Sequence, residues 1–130
     1  MKMKYYMLVM GSLLMLNGCY KVGYEDFLDF RDADVGRKPA FSKPFKFNNA
    51  GKPRRGKSII TGQGFTHITK LKNGDLIYHW SNQEILPTFR GNKGWIGKCL
   101  TYEIIDAKTG LVKSWGFDKG GNPLSCRTWS

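Results

Sequence analysis

Acids, histidines and cysteines are scarce in this chain. Its 130 residues hold 10 Asp+Glu, 2 His and 3 Cys. The two histidines, His67 and His79, have no third His, Cys or carboxylate beside them in a metal-ligand spacing, which argues against a metal centre. No apolar run approaches the roughly 20 residues that a membrane-spanning helix needs. No nucleophile elbow and no spaced carboxylate pair marks a catalytic site, so no enzymatic activity and no cofactor are expected. What is abundant is basic charge, 21 Lys+Arg for a formal net charge of +11, together with 8 Phe, 6 Tyr and 4 Trp. A hydrophobic fraction of 41% is too high for a disordered chain, and the length suits one small domain. Excess cationic charge favours anionic partners but bears on association rather than on fold.

One motif match fails on its context. Gly51-Lys-Pro-Arg-Arg-Gly56-Lys57-Ser58 satisfies the phosphate-loop pattern G-x-x-x-x-G-K-[ST]. A true phosphate loop follows a strand and opens a helix whose first amides hold the phosphates. Here Ile59-Ile-Thr-Gly-Gln-Gly reads as extended chain, so nucleotide is not an expected ligand. Gly62-Gln-Gly64 lacks the third glycine of a dinucleotide fingerprint.

The N-terminus has the anatomy of an export signal: Lys2 and Lys4, twelve mostly apolar residues from Tyr5 to Leu16, then Leu16-Asn17-Gly18-Cys19. That tetrad resembles the bacterial lipobox, whose cysteine is acylated and becomes the first residue after cleavage. The resemblance implies a lipid on Cys19, and Tyr20, where inner-membrane retention has Asp, implies sorting to the outer membrane. Cleavage would remove residues 1–18 with two Lys and no acid, leaving 112 residues and a charge of +9. The remaining pair, Cys99 and Cys126, is then expected to form a disulfide in an oxidising compartment.

Three regions are expected: a signal peptide at 1–18, a lipidated N-terminus and basic tether at 19–57, and a β-rich globular domain at 58–130. Within the tether, residues 24–32 can form one or two helical turns that dock on the domain. From Arg37 to Lys57 there are eight basic residues, no acid and three prolines. Arg37, Lys38, Lys43, Lys46, Lys52, Arg54, Arg55 and Lys57 are thus candidate anion-binding residues, for an anionic lipid or glycan rather than nucleic acid.

The fold class expected is mainly β, or α+β: a small antiparallel four-stranded meander, with a short N-terminal helical or irregular segment and one disulfide. Asn73-Gly74 between strand-like runs predicts a first hairpin, and Ala107-Lys-Thr-Gly110 predicts a second. A hairpin centred on Asn73-Gly74 brings His67 and His79 opposite or diagonal to one another. In the third strand Leu100, Tyr102 and Ile104 share one face, and Thr101 and Glu103 the other. The segment from Gly97 to Arg127, with its "D-x-x-T-G" turn and "W-x-F" strand between two cysteines, resembles the C-terminal half of small Gram-negative lipoproteins. That resemblance supports the fold and the address; the lipobox, the cysteine pair and the missing catalytic constellation together give the expectation of a non-enzymatic outer-membrane lipoprotein, anchored by its lipid and binding another envelope component. An inhibitor or immunity-type lipoprotein that blocks a hydrolase or toxin is the alternative.

Overall fold

A computed structural model describes residues 21–48, 53–54 and 57–129, with main chain alone for 53–54 and 57–61. The expected signal peptide and Cys19 lie outside the described residues. Among the described residues, helix α1 (Tyr24–Asp32) precedes a sheet of β1 (Pro53–Arg54), β2 (Lys57–Lys70), β3 (Leu76–Ile85), β4 (Gly97–Ile105) and β5 (Val112–Phe117). The strands pair antiparallel in chain order. This is the expected four-stranded meander with a two-residue strand added at its edge.

Both predicted turns form, and each is held by a side chain. At the first, Gly74 takes φ 94°, and the Asn73 side chain both accepts from the Asp75 amide and donates to the Asp75 carboxylate. At the second, Gly110 takes φ 71° while Asp106 accepts from the amides of Lys108 and Thr109. Glycine adopts such positive φ without the Cβ clash that penalises other residues. Asp75 ties the two turns together, accepting from the Ala107 amide at 2.8 Å and pairing with Lys113 Nζ at 3.1 Å. The Ala107 hydrogen bond first, and Lys113 second, hold the Asp75 carboxyl below its ordinary range.

Which face of the sheet is covered departs from simple apolar alternation. In β4 the buried residues are Cys99, Thr101, Glu103 and Ile105, whereas Leu100, Tyr102 and Ile104 are only partly covered. The reason is α1. Phe27 and Arg31, one turn apart, are its buried residues and face the sheet. Arg31 Nη1 lies 2.9 Å from Glu103 Oε1, and Arg31 Nη2 donates to Thr101 Oγ1 at 3.2 Å. The guanidinium also sits about 6 Å from the ring centroids of Trp80 and Trp115. A buried cation needs polar partners on the face beneath it, and Thr101 and Glu103 supply them. Burial lowers the Arg31 pKa against the pull of Glu103 and Asp34, and raises that of Glu103 against the pull of Arg31.

Residues 21–48, expected as tether, lie against the sheet. Gly23 exchanges backbone hydrogen bonds with Thr128, and Trp115 Nε1 donates to Asp32 at 2.8 Å. Past α1 the chain bonds to Val112 through Gly36 and Arg37, then runs beside β2, with the Phe45 and Phe47 amides donating to Phe65 and Gln63. Phe45 rests against Phe65 and Trp80. Gly64 is required by this approach, because a Cβ there would stand 2.7 Å from the Phe45 carbonyl.

The predicted disulfide, Cys99–Cys126, is fully buried and closes a separation of 27 residues. In the loop-entropy picture a bridge of that span contributes about 3.5 kcal/mol. It packs with Phe27, Trp115 and Phe117 and brings the C-terminal segment over β3 and β4, where Gln83 donates to the Ser125 and Arg127 carbonyls.

The lowered Asp75 pKa sets a pH dependence. Its contribution to stability is present above the ordinary carboxylate value of 3.8 and is lost as pH falls through the lower folded value. Asp75→Asn is expected to reduce stability at neutral pH and to flatten part of the loss below about pH 4. Denaturant unfolding of both proteins from pH 7 to pH 2 measures this; parallel profiles would contradict it.

Candidate functional site

Two surfaces carry polar or aromatic groups that the core does not require. The first is the side of the sheet away from α1. The register set at the first turn pairs His67 with His79 directly across β2 and β3, and a bulge at Thr66 just beyond them lets Phe65 face the core on the other side. Their rings stack with centroids 4.0 Å apart and planes at 7°. On the other side of His79, β4 contributes Tyr102 by register, and Asp118 follows β5.

His79 has a partner on each ring nitrogen. Nδ1 lies 2.7 Å from Asp118 Oδ2, and Nε2 lies 2.8 Å from Thr69 Oγ1. Thr66 gives its hydroxyl proton to the His79 carbonyl, so it accepts from His67 Nδ1–H at 3.0 Å. Both rings are therefore fixed by hydrogen bonds within their own sheet. Stacked face to face, the rings hold their nitrogens in nearly parallel planes, and Thr66, Thr69 and Asp118 engage three of the four. Among the described residues no group of three or more His, Cys, Asp or Glu is arranged to hold a metal ion. The order hydroxyl, imidazole, carboxylate is that of an acyl-transfer relay, though here the hydroxyl belongs to a threonine on an exposed strand. Around it Ile77, Leu100, Tyr102 and Ile104 add partly exposed apolar surface. Tyr102 lies over Gly116, where a Cβ would stand 2.5 Å from the Tyr102 hydroxyl.

The second surface is the end of the sheet where the chain enters. Arg127 places its guanidinium 3.6 Å above the Trp95 ring, Trp95 and Phe89 both meet Trp129, and Asn122 donates to the carbonyls of Gly94 and Ile96 beneath them. The four tryptophans thus divide. Trp80 and Trp115 pack against core clusters, Trp95 is capped by Arg127, and Trp129 is 40% exposed.

Of the expected anion-binding residues, Arg37, Lys38, Lys43 and Lys46 are exposed. They follow a path from the β5 end toward the β2 edge rather than converging on a single point. Lys52 and Arg55 lie outside the described residues, and only the main chain of Arg54 and Lys57 is described. The phosphate-loop match falls partly outside them, but β2 begins at Lys57, where a true phosphate loop would start a helix. A cleft of about 420 Å³ near the two turns is lined by Pro39, Lys70, Leu76, Tyr78 and Asp106 among others.

Sequence reasoning placed the two histidines together but missed Asp118, Thr69 and Arg127. Asp118 reaches His79 only through the combined registers of β3, β4 and β5. No local pattern signals that.

Comparison with protein-family models, curated proteins and solved structures finds no match. The chain's own geometry therefore carries the functional reading.

Because Asp118 accepts at Nδ1, neutral His79 holds its proton on Nδ1 and accepts from Thr69 at Nε2. Long-range proton–nitrogen correlation spectra above pH 8 are expected to show the Nδ1–H tautomer for His79, and Asp118→Ala is expected to shift it toward Nε2–H. An unchanged tautomer in the variant would contradict the assignment.

Proposed function

We propose that the protein is a non-enzymatic lipoprotein of the bacterial outer membrane, anchored by a lipid on Cys19, whose stapled β-domain binds another component of the cell envelope. The observation that carries this reading is the Cys99–Cys126 disulfide, buried at the junction of helix, sheet and C-terminal segment. A bridge of this kind forms and persists in an oxidising compartment, which supports export. The face opposite α1, around His67, His79 and Tyr102, is the binding surface in this reading. Its partly exposed apolar side chains rimmed by fixed polar groups suit a protein partner. The exposed Arg37, Lys38, Lys43 and Lys46 add a cationic margin for an anionic lipid or glycan. A blocked hydrolase or toxin would use the same face.

Cys19→Ala is the direct test of the anchor. Wild type is expected to incorporate labelled palmitate and fractionate with outer membranes, whereas the variant accumulates as unlabelled precursor. Equal labelling of the two would overturn the anchor. A photo-crosslinking residue at Tyr102 is expected to capture an envelope component, with little capture from position 108 on the turn; equal capture would remove this face from the proposal.

A further inference from the structure

We propose that the end of the domain formed by Val22, Leu124, Arg127 and Trp129, backed by Phe89 and Trp95, rests in the headgroup layer of the bilayer that holds the Cys19 lipid. The proposal builds on the lipid anchor and adds the orientation of the domain and the surface that touches the membrane.

Chain length is the first support. Cys19 is four residues from Gly23, and a chain gains at most about 3.6 Å per residue, so whatever path it takes Cys19 lies within about 14 Å of Gly23. A lipid on Cys19 leaves the Gly23 end of the domain no room to stand clear of the membrane. Second, the entry point is fixed to the body of the fold. Gly23 donates to the Thr128 carbonyl at 2.9 Å and accepts from the Thr128 amide at 3.1 Å. Immediately afterwards α1 is locked down by Phe27 and Arg31.

Third, the surface beside that entry point has interfacial chemistry. A Cβ on Gly23 would meet Arg127 Nη2 at 3.2 Å, so the guanidinium adjoins the entering chain. That guanidinium lies on Trp95, whose ring centroid is 6.1 Å from that of Trp129. Val22, Leu124 and Trp129 are 51%, 45% and 40% exposed. Indole rings with an apolar body and a polar N–H concentrate at the membrane interface, and guanidinium groups reach phosphate from the same depth. Of the acids near the entering chain, Asp26 accepts from the Thr128 hydroxyl, Asp29 forms an exposed pair with Lys21 at 3.5 Å, and Glu25 is exposed, one negative charge to set against the cationic Arg127.

Arg37 marks the other end of the sheet, since it bonds to Val112 beyond the second turn, whereas Arg127 sits by Gln83. Contact through the aromatic end is therefore separable from contact through Arg37, Lys38, Lys43 and Lys46. Aromatic insertion persists in neutral lipid, whereas capture by basic side chains requires anionic lipid and fades with salt.

The test uses the full processed lipoprotein in vesicles of phosphatidylcholine alone, or with a fifth phosphatidylglycerol, each containing brominated phosphatidylcholine. Intact mass first reports whether Cys19 is acylated. Loss of tryptophan emission is expected in both vesicle types, and most of that loss is expected to vanish in Trp129→Phe. Leu124→Glu should also reduce it, with near-ultraviolet circular dichroism unchanged. Acylated protein with no loss of emission, loss only in anionic vesicles, or equal loss in wild type and Trp129→Phe would overturn the orientation while leaving the anchor intact. A mass without acyl groups would instead remove the anchor, and the orientation with it.

Discussion

A buried guanidinium determines how this small protein is put together. Arg31 enters the helix–sheet interface at 7% exposure and must be met there by charge and hydrogen bonds. Glu103 and Thr101 meet it from β4, and the indoles of Trp80 and Trp115 flank it. Each ion gives up hydration here, and that burial pushes the Arg31 pKa down and the Glu103 pKa up, both toward the neutral form. Such a pair does little for stability compared with apolar side chains of similar size, yet losing one partner strands the other. Its effect is to specify one docking of α1 rather than to deepen the core.

The rest of the arrangement follows from that docking. With α1 held over Thr101 and Glu103, that face of the sheet becomes the interior, and Phe27 reaches the disulfide cluster. Leu100, Tyr102 and Ile104 are turned to the far side, where they surround the stacked histidines. The helix also carries the N-terminal chain to Thr128, so an anchor on Cys19 would be coupled to the sheet through Gly23 and Arg31 and not through a loose spacer. One interaction thereby bears on both surfaces: which face is open to a partner, and which end meets the lipid.

Much of the fold was legible because its signals are local. Asn73-Gly74 and Thr109-Gly110 mark turns through positive φ, and the strands between them follow from alternation. The cysteine pair was legible by elimination once Cys19 was set aside. What could not be read was the side of the sheet that would be buried, because it depends on how the other strands register and on Arg31, some 70 residues from the Thr101 hydroxyl it binds. Alternation in β4 alone favours Leu100, Tyr102 and Ile104 as the inner face, whereas the buried face gathers Phe65, Tyr78, Trp80, Trp115 and Phe117 from the other strands around Arg31. The site was half legible for the same kind of reason. His67 and His79 flank one turn whose register makes them direct neighbours, but Asp118 joins them only across two further strand pairings.

The buried pair is tested most directly by a double-mutant cycle on unfolding free energy, using Arg31→Met, Glu103→Leu and both together. If the pair fixes the helix on the sheet, each single substitution should cost about 3–5 kcal/mol, and the double variant should recover most of that loss. Single substitutions costing under about 1 kcal/mol, the range of an exposed ion pair, would contradict a structure organised around Arg31.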